Sequence, residues 1–441
     1  MDGVCRFIGI LVLALLLGAC AGSKPYQISH NGPSPCYHAA ARDHPACVRF
    51  VEYDDFGNVF KRAQLDETLV AARAVAQRNG IIVVYVHGWE HNAGSSDSDL
   101  AAFQGAMENA QALSRHEVLG IYVGWRGKSL LVPGLSKATF WERKTTAQAI
   151  GDGAVFELLR TLANERERHR ASRLVLIGHS FGAAVLYASV FHSITSQLID
   201  DPLDASEAAR AGPDAAKRWD MVVLVNPAFE AMQLRPHFEL AGARTFIPAQ
   251  LPHLILITTQ ADWATGMAFP AGRYFRSIFN KYADATSASQ YRSAVGHYLP
   301  YVTHQLAAVQ SCTPYRQEPM APLANVDAGA VVNRQVKCYG APRERAGAQD
   351  VPVLLTRCDR AGDCTAVAGQ HSLQAPPNMP IWNIRTTGDV MRGHSDIWNP
   401  TMHAFLVRLM LSMPGAPVVA PSKNNAQTVQ APSAYTQSPS R

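Results

Sequence analysis

The residues best suited to chemistry lie in the segment 173–190, RLVLIGHSFGAAVLYASV, where a β-like apolar run leads directly into a helix-like run. The pentapeptide GHSFG, centred on Ser180, stands at the junction. The pattern GxSxG is a weak signal by itself, because glycine and serine are common enough for it to occur by chance in about one chain in ten of this length. The strand–turn–helix setting favours a nucleophile presented on a strained turn, with Gly178 and Gly182 avoiding collisions. The alternative for Ser180 is a glycine-flanked helix cap without chemistry.

A nucleophilic serine needs an acid and a histidine, which we expect later in the chain and in that order. Asp262 follows the apolar run HLILITTQ and is the predicted acid. Glu230, after the preceding apolar run, is the second candidate and Asp389 the third; each could instead be a solvated loop carboxylate or a helix cap. His394, in TTGDVMRGHSDIWNP, is the predicted base, with Gly393 allowing a tight loop.

The other histidines are less well placed for this role. His297, His304 and His371 lie in inserted segments, and His403 lies within the last predicted helix. The side chain of His179 should point away from that of its neighbour in the turn. We expect it to pack beside the turn rather than act as the base.

A hydrolytic serine also needs N–H donors for the negative charge that develops on the substrate oxygen. The run VVYVHGWEHNA places a glycine, Gly88, just past an early strand, where the backbone can approach a substrate closely. The amides of Trp89 and Phe181 are the predicted donors.

The same run raises a second possibility, a metal site built from His87, Glu90 and His91. Gly88 at a strand end denies these side chains the shared helix face of familiar metal motifs. The six cysteines beyond the first 20 residues also lack the CxxC-type spacing of zinc sites. We therefore predict no metal.

Apolar runs alternate with helix-like runs along most of the chain, which predicts a mostly parallel sheet covered by helices on both faces. Helices are expected at about 65–77, 98–114 and 144–168, from Phe181 onward, and after Asn399, which would cap a helix beginning at Pro400. A hairpin around residues 55–57 should add antiparallel strands at one edge of the sheet.

The HG element after one strand and the GHSFG turn two strands later resemble the α/β-hydrolase superfamily, over about residues 50–262 and 380–412. The resemblance implies an α/β-hydrolase fold with Ser180, Asp262 and His394 as a catalytic triad and no cofactor. It is specific for fold and says little about substrate.

The N-terminus reads as an export signal: Arg6, then an apolar run too short to favour a membrane span, then small residues. The sequence LGAC ending at Cys20 resembles the lipobox of bacterial lipoproteins, whose cysteine is lipidated. Ala21 would then imply the outer membrane. A simple secretory signal cut near Ala19 or Ala21, giving a secreted protein, is the alternative.

The predicted organisation is a signal peptide (1–20), a polar tether (21–34), a catalytic-size domain (35–412) and a disordered tail (413–441). The domain carries insertions at about 196–219 and 264–378, the second long enough for a small subdomain pinned by disulfides. Its start, WATGMAFPAGRYFRSIF, could wall an acyl pocket, form a lid or simply pack in the core.

An even number of cysteines in an exported chain suggests disulfides, and six cysteines allow fifteen pairings. Sequence order favours pairing Cys36 with Cys47, Cys312 with Cys338, and Cys358 with Cys364. A net charge of +5, spread without a basic stripe, disfavours nucleic-acid binding.

Together these features predict a membrane-tethered serine hydrolase that cleaves carboxylic esters, esterase- or lipase-like, through an acyl-enzyme. Peptidase, thioesterase and polyester hydrolase activities stay open. The alternative from another class is an inactive hydrolase fold that serves in binding or scaffolding at the cell envelope.

Overall fold

A computed structural model of the chain describes residues 24–27, 46–114, 116–127, 140–201, 207, 218–246, 252–308, 337–339, 353–358 and 379–411. The predicted signal peptide with Cys20, the tail at 413–441, most of the 196–219 insertion, His371, and Cys36, Cys312 and Cys364 lie outside these residues. Cys47 and Cys358 are disulfide-bonded. Their predicted partners are outside the described residues, so the pairing stays a prediction.

The strands of the described residues form one sheet in the order β1-β3-β2-β4-β5-β6-β10-β7-β9-β8. Their bounds are β1 Cys47–Glu52, β2 Ile81–Val86, β3 Val118–Gly124, β4 Arg173–His179, β5 Met221–Val225, β6 Leu254–Thr259, β7 His304–Ala308, β8 Lys337–Tyr339, β9 Val353–Arg357 and β10 Ile381–Thr386. The first eight in sheet order pair in parallel, and β9 and β8 are antiparallel.

Helices connect the strands and cover both faces of the sheet. Their bounds are α1 Arg62–Gln77, α2 Ser98–Leu113, α3 Phe140–Asp152, α4 Ala154–Arg168, α5 Phe181–Asp200, α6 Ala231–Gly242, α7 Phe269–Arg276, α8 Ala285–Arg292 and α9 Pro400–Leu411. Asn399 caps α9 as predicted, since its Oδ1 accepts a hydrogen bond from the Met402 N–H at 3.0 Å.

The central strands are buried on both faces, which explains their unbroken apolar sequences. In β2, Ile82, Val84 and Val86 enter a core shared with α1, α3, α4, α5 and α6. The alternate residues Ile81, Val83 and Tyr85 enter a second core, shared with α2 and α9. The expected mostly parallel sheet with helices on both faces is confirmed.

The prediction that an N-terminal hairpin adds antiparallel strands at one edge of the sheet is wrong. β1 pairs in parallel with β3, and the hairpin is reduced to one antiparallel bridge between Tyr53 and Val59 around the predicted turn. Gly57 in that turn has a φ of 82° and packs against Gly153. This contact also splits the single helix predicted at 144–168 into α3 and α4: a side chain at Gly153 would lie 3.0 Å from the Gly57 carbonyl oxygen.

The described part of the second insertion adds the π-helical turn Ala264–Ala268, α7, α8 and the strands β7, β8 and β9. β7 pairs in parallel with β10, and β9 pairs antiparallel with β7. This part therefore extends the central sheet at one edge, where the sequence suggested a subdomain of its own.

Within the described residues, one helix is long and apolar enough to cross a membrane by length and composition, namely α5. Its apolar residues, such as Val185 and Leu186, are buried in the core that α5 shares with the central strands. Burial in the fold accounts for the composition of α5.

A short piece of the predicted tether, residues 24–27, contacts the domain. The backbone N–H groups of Tyr26 and Gln27 donate to the two carboxylate oxygens of Glu52 at 2.7 and 2.8 Å. Glu52, the last residue of β1, is buried. The tether therefore meets the domain at the carboxyl end of an edge strand.

Candidate active site

The turn between β4 and α5 holds Ser180 in a strained backbone conformation, with φ 56° and ψ −119°. A positive φ is costly for a residue with a side chain and is tolerated where the surroundings enforce it. A side chain at Gly178 would lie 2.8 Å from the Ala183 Cα, and one at Gly182 would lie 2.1 Å from the Val86 carbonyl oxygen. Both glycines are thus required by the close approach of β4 and β2 to the helix.

The structure brings together the three side chains that the sequence singled out. His394 Nε2 lies 2.7 Å from Ser180 Oγ, and His394 Nδ1 lies 2.8 Å from Asp262 Oδ2. They come from loops after β4, β6 and β10, whose carboxyl ends meet at one edge because the strands are parallel. With Nδ1 protonated toward Asp262, Nε2 is left to accept the serine proton.

Asp262 is positioned by donors from its own loop. The Thr265 N–H donates to Oδ1 at 3.1 Å, and the Thr265 hydroxyl donates to Oδ2. His297 Nε2 lies 3.0 Å from that hydroxyl and donates to it, which extends the chain of hydrogen bonds by one residue. Burial raises the pKa of Asp262, but hydrogen bonds and charge from His394, with the donors of Thr265, outweigh burial and lower it overall. The carboxylate is therefore ionised at neutral pH.

The backbone of His394 is held by the ends of two neighbouring strands. His179 Nε2 and Asn226 Nδ2 donate to its carbonyl oxygen at 2.9 and 2.8 Å. Thr259 Oγ1 donates to the Met391 carbonyl in the same loop at 2.6 Å. Burial, followed by the charge of His394, pushes the pKa of His179 well below its usual value. A neutral His179 therefore holds the backbone of His394 in place.

The segment after β2 is rigidly held against the turn that carries Ser180. His87 Nδ1 donates to the Gly88 carbonyl at 2.9 Å, and His87 Nε2 accepts the Trp125 N–H at 3.1 Å. Burial lowers the pKa of His87 to about 4, so this arrangement has one tautomer. A side chain at Gly88 would lie 3.0 Å from Ser180 Cβ. The position of Trp89, next in the chain, is therefore fixed beside the serine.

The alternative acids occupy other environments. Glu230 is buried in ion pairs with Lys144 and Arg273 at 3.0 and 2.7 Å. Asp389 is an exposed loop residue. His394 is thus paired with the first of the three predicted candidates.

The alternative histidines also lie elsewhere. The His304 ring packs against that of Trp382 in the sheet at a tilt of 38°, and His403 Nε2 lies 3.4 Å from Asn109 Nδ2. His91 pairs with Asp97 at 3.0 Å. Within the described part of the chain, no three His, Cys, Asp or Glu side chains are grouped so that they could hold a metal ion.

Sequence reasoning missed the supporting residues Asn226, Thr259, Thr265 and His297. Asn226 follows β5, Thr259 is the last residue of β6 and Thr265 follows β6. Their positions at the carboxyl ends of parallel strands could have identified them as candidate site residues. Asn226 has a φ of 45°, a second strained residue at the same edge. Gly393 was expected to permit a tight loop, yet its φ is not positive and a side chain there would meet no atom within 4 Å.

The segment after Asp262, for which an acyl-pocket wall, a lid or core packing was considered, presents large apolar side chains to solvent. Phe269 is fully buried, but six others are more than half exposed: Trp263, Met267, Tyr274, Phe275, Ile278 and Phe279. Core packing therefore explains only a minority of its apolar residues.

The sequence matches no protein-family model, and no curated protein is significantly similar to it. The inference about function therefore depends on the site itself.

Proposed function

We propose that the protein is a serine hydrolase of the α/β-hydrolase superfamily that cleaves carboxylic esters through an acyl-enzyme. The supporting observation is the continuous hydrogen-bonded series from Ser180 Oγ through the His394 imidazole to the Asp262 carboxylate. A hydroxyl, a base and an orienting acid in this order are what acyl transfer by serine requires.

In the proposed first half-reaction, Ser180 Oγ attacks the ester carbonyl while His394 Nε2 takes its proton. Asp262 stabilises the resulting imidazolium, which then donates the proton to the leaving alcohol as the C–O bond breaks. In the second half-reaction, water attacks the acyl-enzyme while His394 Nε2 takes its proton, and the imidazolium then donates that proton to Ser180 Oγ as the acyl C–O bond breaks and the carboxylic acid leaves. No cofactor takes part in this sequence.

The oxyanion of each tetrahedral intermediate would be bound by the amides of Phe181 and Trp89. Phe181 is the first residue of α5, where backbone N–H groups and the helix dipole favour negative charge. The hydrogen bond from His87 fixes the Gly88 carbonyl. Because a peptide is planar and trans, the Trp89 N–H points opposite to that carbonyl and is fixed with it.

We also propose that Cys20 is lipidated and anchors the enzyme to a bacterial envelope membrane, where lipid or imported small-molecule esters are its partners. The lipobox-like sequence LGAC supports this proposal. A secreted form is the outcome if Cys20 is not modified.

A serine-reactive fluorophosphonate probe tests the function directly. We expect it to label the wild-type protein and Ser196→Ala but not Ser180→Ala. Ser196 is a matched control because it lies on α5 and its hydroxyl donates to the His192 carbonyl, away from the site. Hydrolysis of p-nitrophenyl esters of increasing acyl length should follow the same pattern and report the depth of the acyl pocket. Equal labelling of Ser180→Ala, or no turnover by folded protein, would favour a binding or scaffold role.

A further inference from the structure

Thr265 and His297 continue the hydrogen-bonded series beyond Asp262. The Thr265 hydroxyl donates to Asp262 Oδ2, and His297 Nε2 lies 3.0 Å from the oxygen of that hydroxyl. Asp262 and Thr265 are both buried, so water does not compete freely for these hydrogen bonds. The series therefore runs through five side chains, from His297 to Ser180, and the proposed mechanism uses only three of them.

The ionised carboxylate of Asp262 fixes the direction of each hydrogen bond in this series. A carboxylate can only accept, so the hydroxyl hydrogen of Thr265 points to Oδ2. The hydroxyl oxygen then has only lone pairs to offer, and His297 Nε2 must carry a proton and donate it. Burial lowers the pKa of His297, the charge of Asp262 raises it, and the charges of Arg385 and His394 lower it, with a net lowering. His297 is therefore neutral near pH 7, with its proton on Nε2.

Close backbone contacts determine where His297 lies. It is the last residue of the 3₁₀ turn Val295–His297. A side chain at Gly296 in this turn would lie 1.8 Å from Thr258 Oγ1, so the turn lies directly against β6. A side chain at Gly266, on the π-helical turn after β6, would lie 3.0 Å from His297 Cε1. Both glycines are required for the imidazole to reach the hydroxyl, which makes this contact a built feature of the site.

Thr265 and His394 donate to the same oxygen of Asp262. His394 Nδ1 lies 2.8 Å from Oδ2, which also accepts the Thr265 hydroxyl. Burial raises the pKa of Asp262, while the interactions with His394 and the hydrogen bonds from Thr265 lower it. A hydrogen bond donated to a carboxylate stabilises its negative charge, so the carboxylate binds a second donor less strongly. The hydroxyl therefore weakens the interaction between Asp262 and a protonated His394.

We propose that Thr265 and His297 are positioning residues of the candidate active site: His297 fixes the direction of the Thr265 hydroxyl, and that hydroxyl limits how strongly Asp262 holds the protonated imidazole. The inference rests on the hydrolase function proposed above, in which the imidazolium of His394 must release its proton to the leaving alcohol. Thr265 and His297 keep their own protons throughout, and the transferred proton moves only through His394 Nε2.

His179 at the end of β4 and Arg385 in β10 also interact electrostatically with members of this series. Burial, followed by the charge of His394, pushes the pKa of His179 well below its usual value, so it stays neutral near pH 7. Burial lowers the pKa of Arg385 from its high usual value, and its guanidinium stays charged. Neither group changes its charge when the Thr265 hydroxyl is removed, so a shift in the titration of His394 reports on the hydroxyl.

The test follows the protonation of His394 by NMR in the full-length protein carrying ¹⁵N-labelled histidine. Thr265→Val removes the hydroxyl, so Asp262 should hold the imidazolium more strongly. We expect the pH of half-protonation of His394 to rise by roughly half a unit, about a threefold change in proton affinity. Thr265→Ser keeps a hydroxyl and should restore the wild-type value.

Thr195→Val is the matched control for Thr265→Val. Thr195 Oγ1 lies 2.8 Å from Nε2 of the buried His237, so this variant also removes a threonine hydroxyl from a histidine. Thr195 lies about 20 Å along α5 from the first residue of that helix, which is next to Ser180. The titration of His394 in Thr195→Val should equal that of the wild type.

The contribution of His297 is tested by two substitutions. His297→Phe removes the donor to the Thr265 hydroxyl and should shift the titration of His394 in the same direction as Thr265→Val, by a smaller amount. His297→Gln, whose amide can donate in place of Nε2, should restore the wild-type value. The acid limb of kcat/KM for p-nitrophenyl ester hydrolysis should move with the NMR titration in each variant that circular dichroism shows to be folded.

A titration of His394 that is the same in Thr265→Val, Thr195→Val and the wild type would overturn the inference, as would a Thr265→Ser protein that behaves like Thr265→Val. If Thr265→Val does not fold, the comparison of His297→Phe with His297→Gln decides in the same way. The NMR titration needs no substrate. An absence of ester hydrolysis in the wild type would therefore refute the proposed function, whereas an unchanged titration in a protein that hydrolyses esters would refute only the role of Thr265 and His297.

Discussion

At the scale of single residues, His394 has each polar atom of its ring and its carbonyl engaged by a different partner. The ring contacts Ser180 and Asp262, and the carbonyl accepts hydrogen bonds from His179 and Asn226. The hydrogen bonds to the carbonyl of His394 therefore fix the orientation of its imidazole ring. The Asp262 carboxylate fixes the tautomer of the ring.

Asp262→Asn should abolish most activity while leaving the fold intact. An amide can donate to Nδ1 and so favours the tautomer in which Nε2 carries the proton and cannot accept it from Ser180. We expect kcat for ester hydrolysis to fall on the order of 10⁴-fold with little change in KM.

Asp389→Asn is the control for that experiment, because Asp389 is an exposed carboxylate a few residues before His394. Its kcat should match the wild type. Comparable losses in the two variants would mean that Asp262 is not the orienting acid.

At the scale of elements, the site depends on how closely α5 approaches β2 and β4. Gly182→Ala would place a methyl group 2.1 Å from the Val86 carbonyl oxygen and 2.4 Å from that of His87. Because both neighbours are backbone atoms at the end of β2, α5 must move to make room for the methyl group. We expect a loss of several kcal/mol in the free energy of unfolding, in the range of severe core changes.

Gly393→Ala provides the comparison, since a side chain there meets no atom within 4 Å and φ is not positive. Its free energy of unfolding in urea should stay within about 0.5 kcal/mol of the wild type. A destabilisation of Gly182→Ala no larger than this would show that the helix tolerates displacement.

Local sequence pattern predicted the elements that build the central sheet, because strands buried on both faces read as continuous apolar runs between helices. It also placed Ser180, Asp262 and His394 at strand ends. It could not predict that β1 pairs in parallel with β3, because the choice of neighbour between distant strands leaves no local signature. The break between α3 and α4 was missed for the same reason, since it depends on the turn at Gly57.

The residues that position Ser180, Asp262 and His394 were harder to predict than these three residues themselves. Asn226 and His297 act through hydrogen bonds to residues far away in the sequence, and Thr265 acts through two hydrogen bonds to Asp262, three residues before it. No spacing rule marks such contacts. The predicted nucleophile, acid and histidine, by contrast, follow a fixed chain order.

At the scale of the whole molecule, several buried histidines are kept neutral by the fold. Burial lowers the pKa of His87 and His237 to about 4, and it also lowers the pKa values of His179 and His297. In the unfolded chain these groups take up protons below about pH 6.5. Between about pH 6.5 and pH 4 the unfolded state binds more protons than the folded state, so stability falls with falling pH.

We therefore expect the free energy of unfolding, measured in urea, to be lower at pH 5 than at pH 7.5. His87 alone should contribute on the order of 2 kcal/mol of this difference. His87→Gln should be less stable at both pH values but should lose less stability between them. An unchanged dependence in His87→Gln would contradict this assignment.

The contact of Tyr26 and Gln27 with Glu52 acquires a further meaning if Cys20 carries the proposed lipid. Lys24, the first described residue, is the fourth residue after Cys20, and that length of chain reaches at most about 14 Å. β1 is parallel to the central strands, so Glu52 lies at the edge of the sheet that also carries Ser180. The anchor would confine this edge to a thin layer above the bilayer. For an ester held in the same membrane, the effective concentration of the enzyme would then depend on the length of this short tether and not on the concentration of the enzyme in solution.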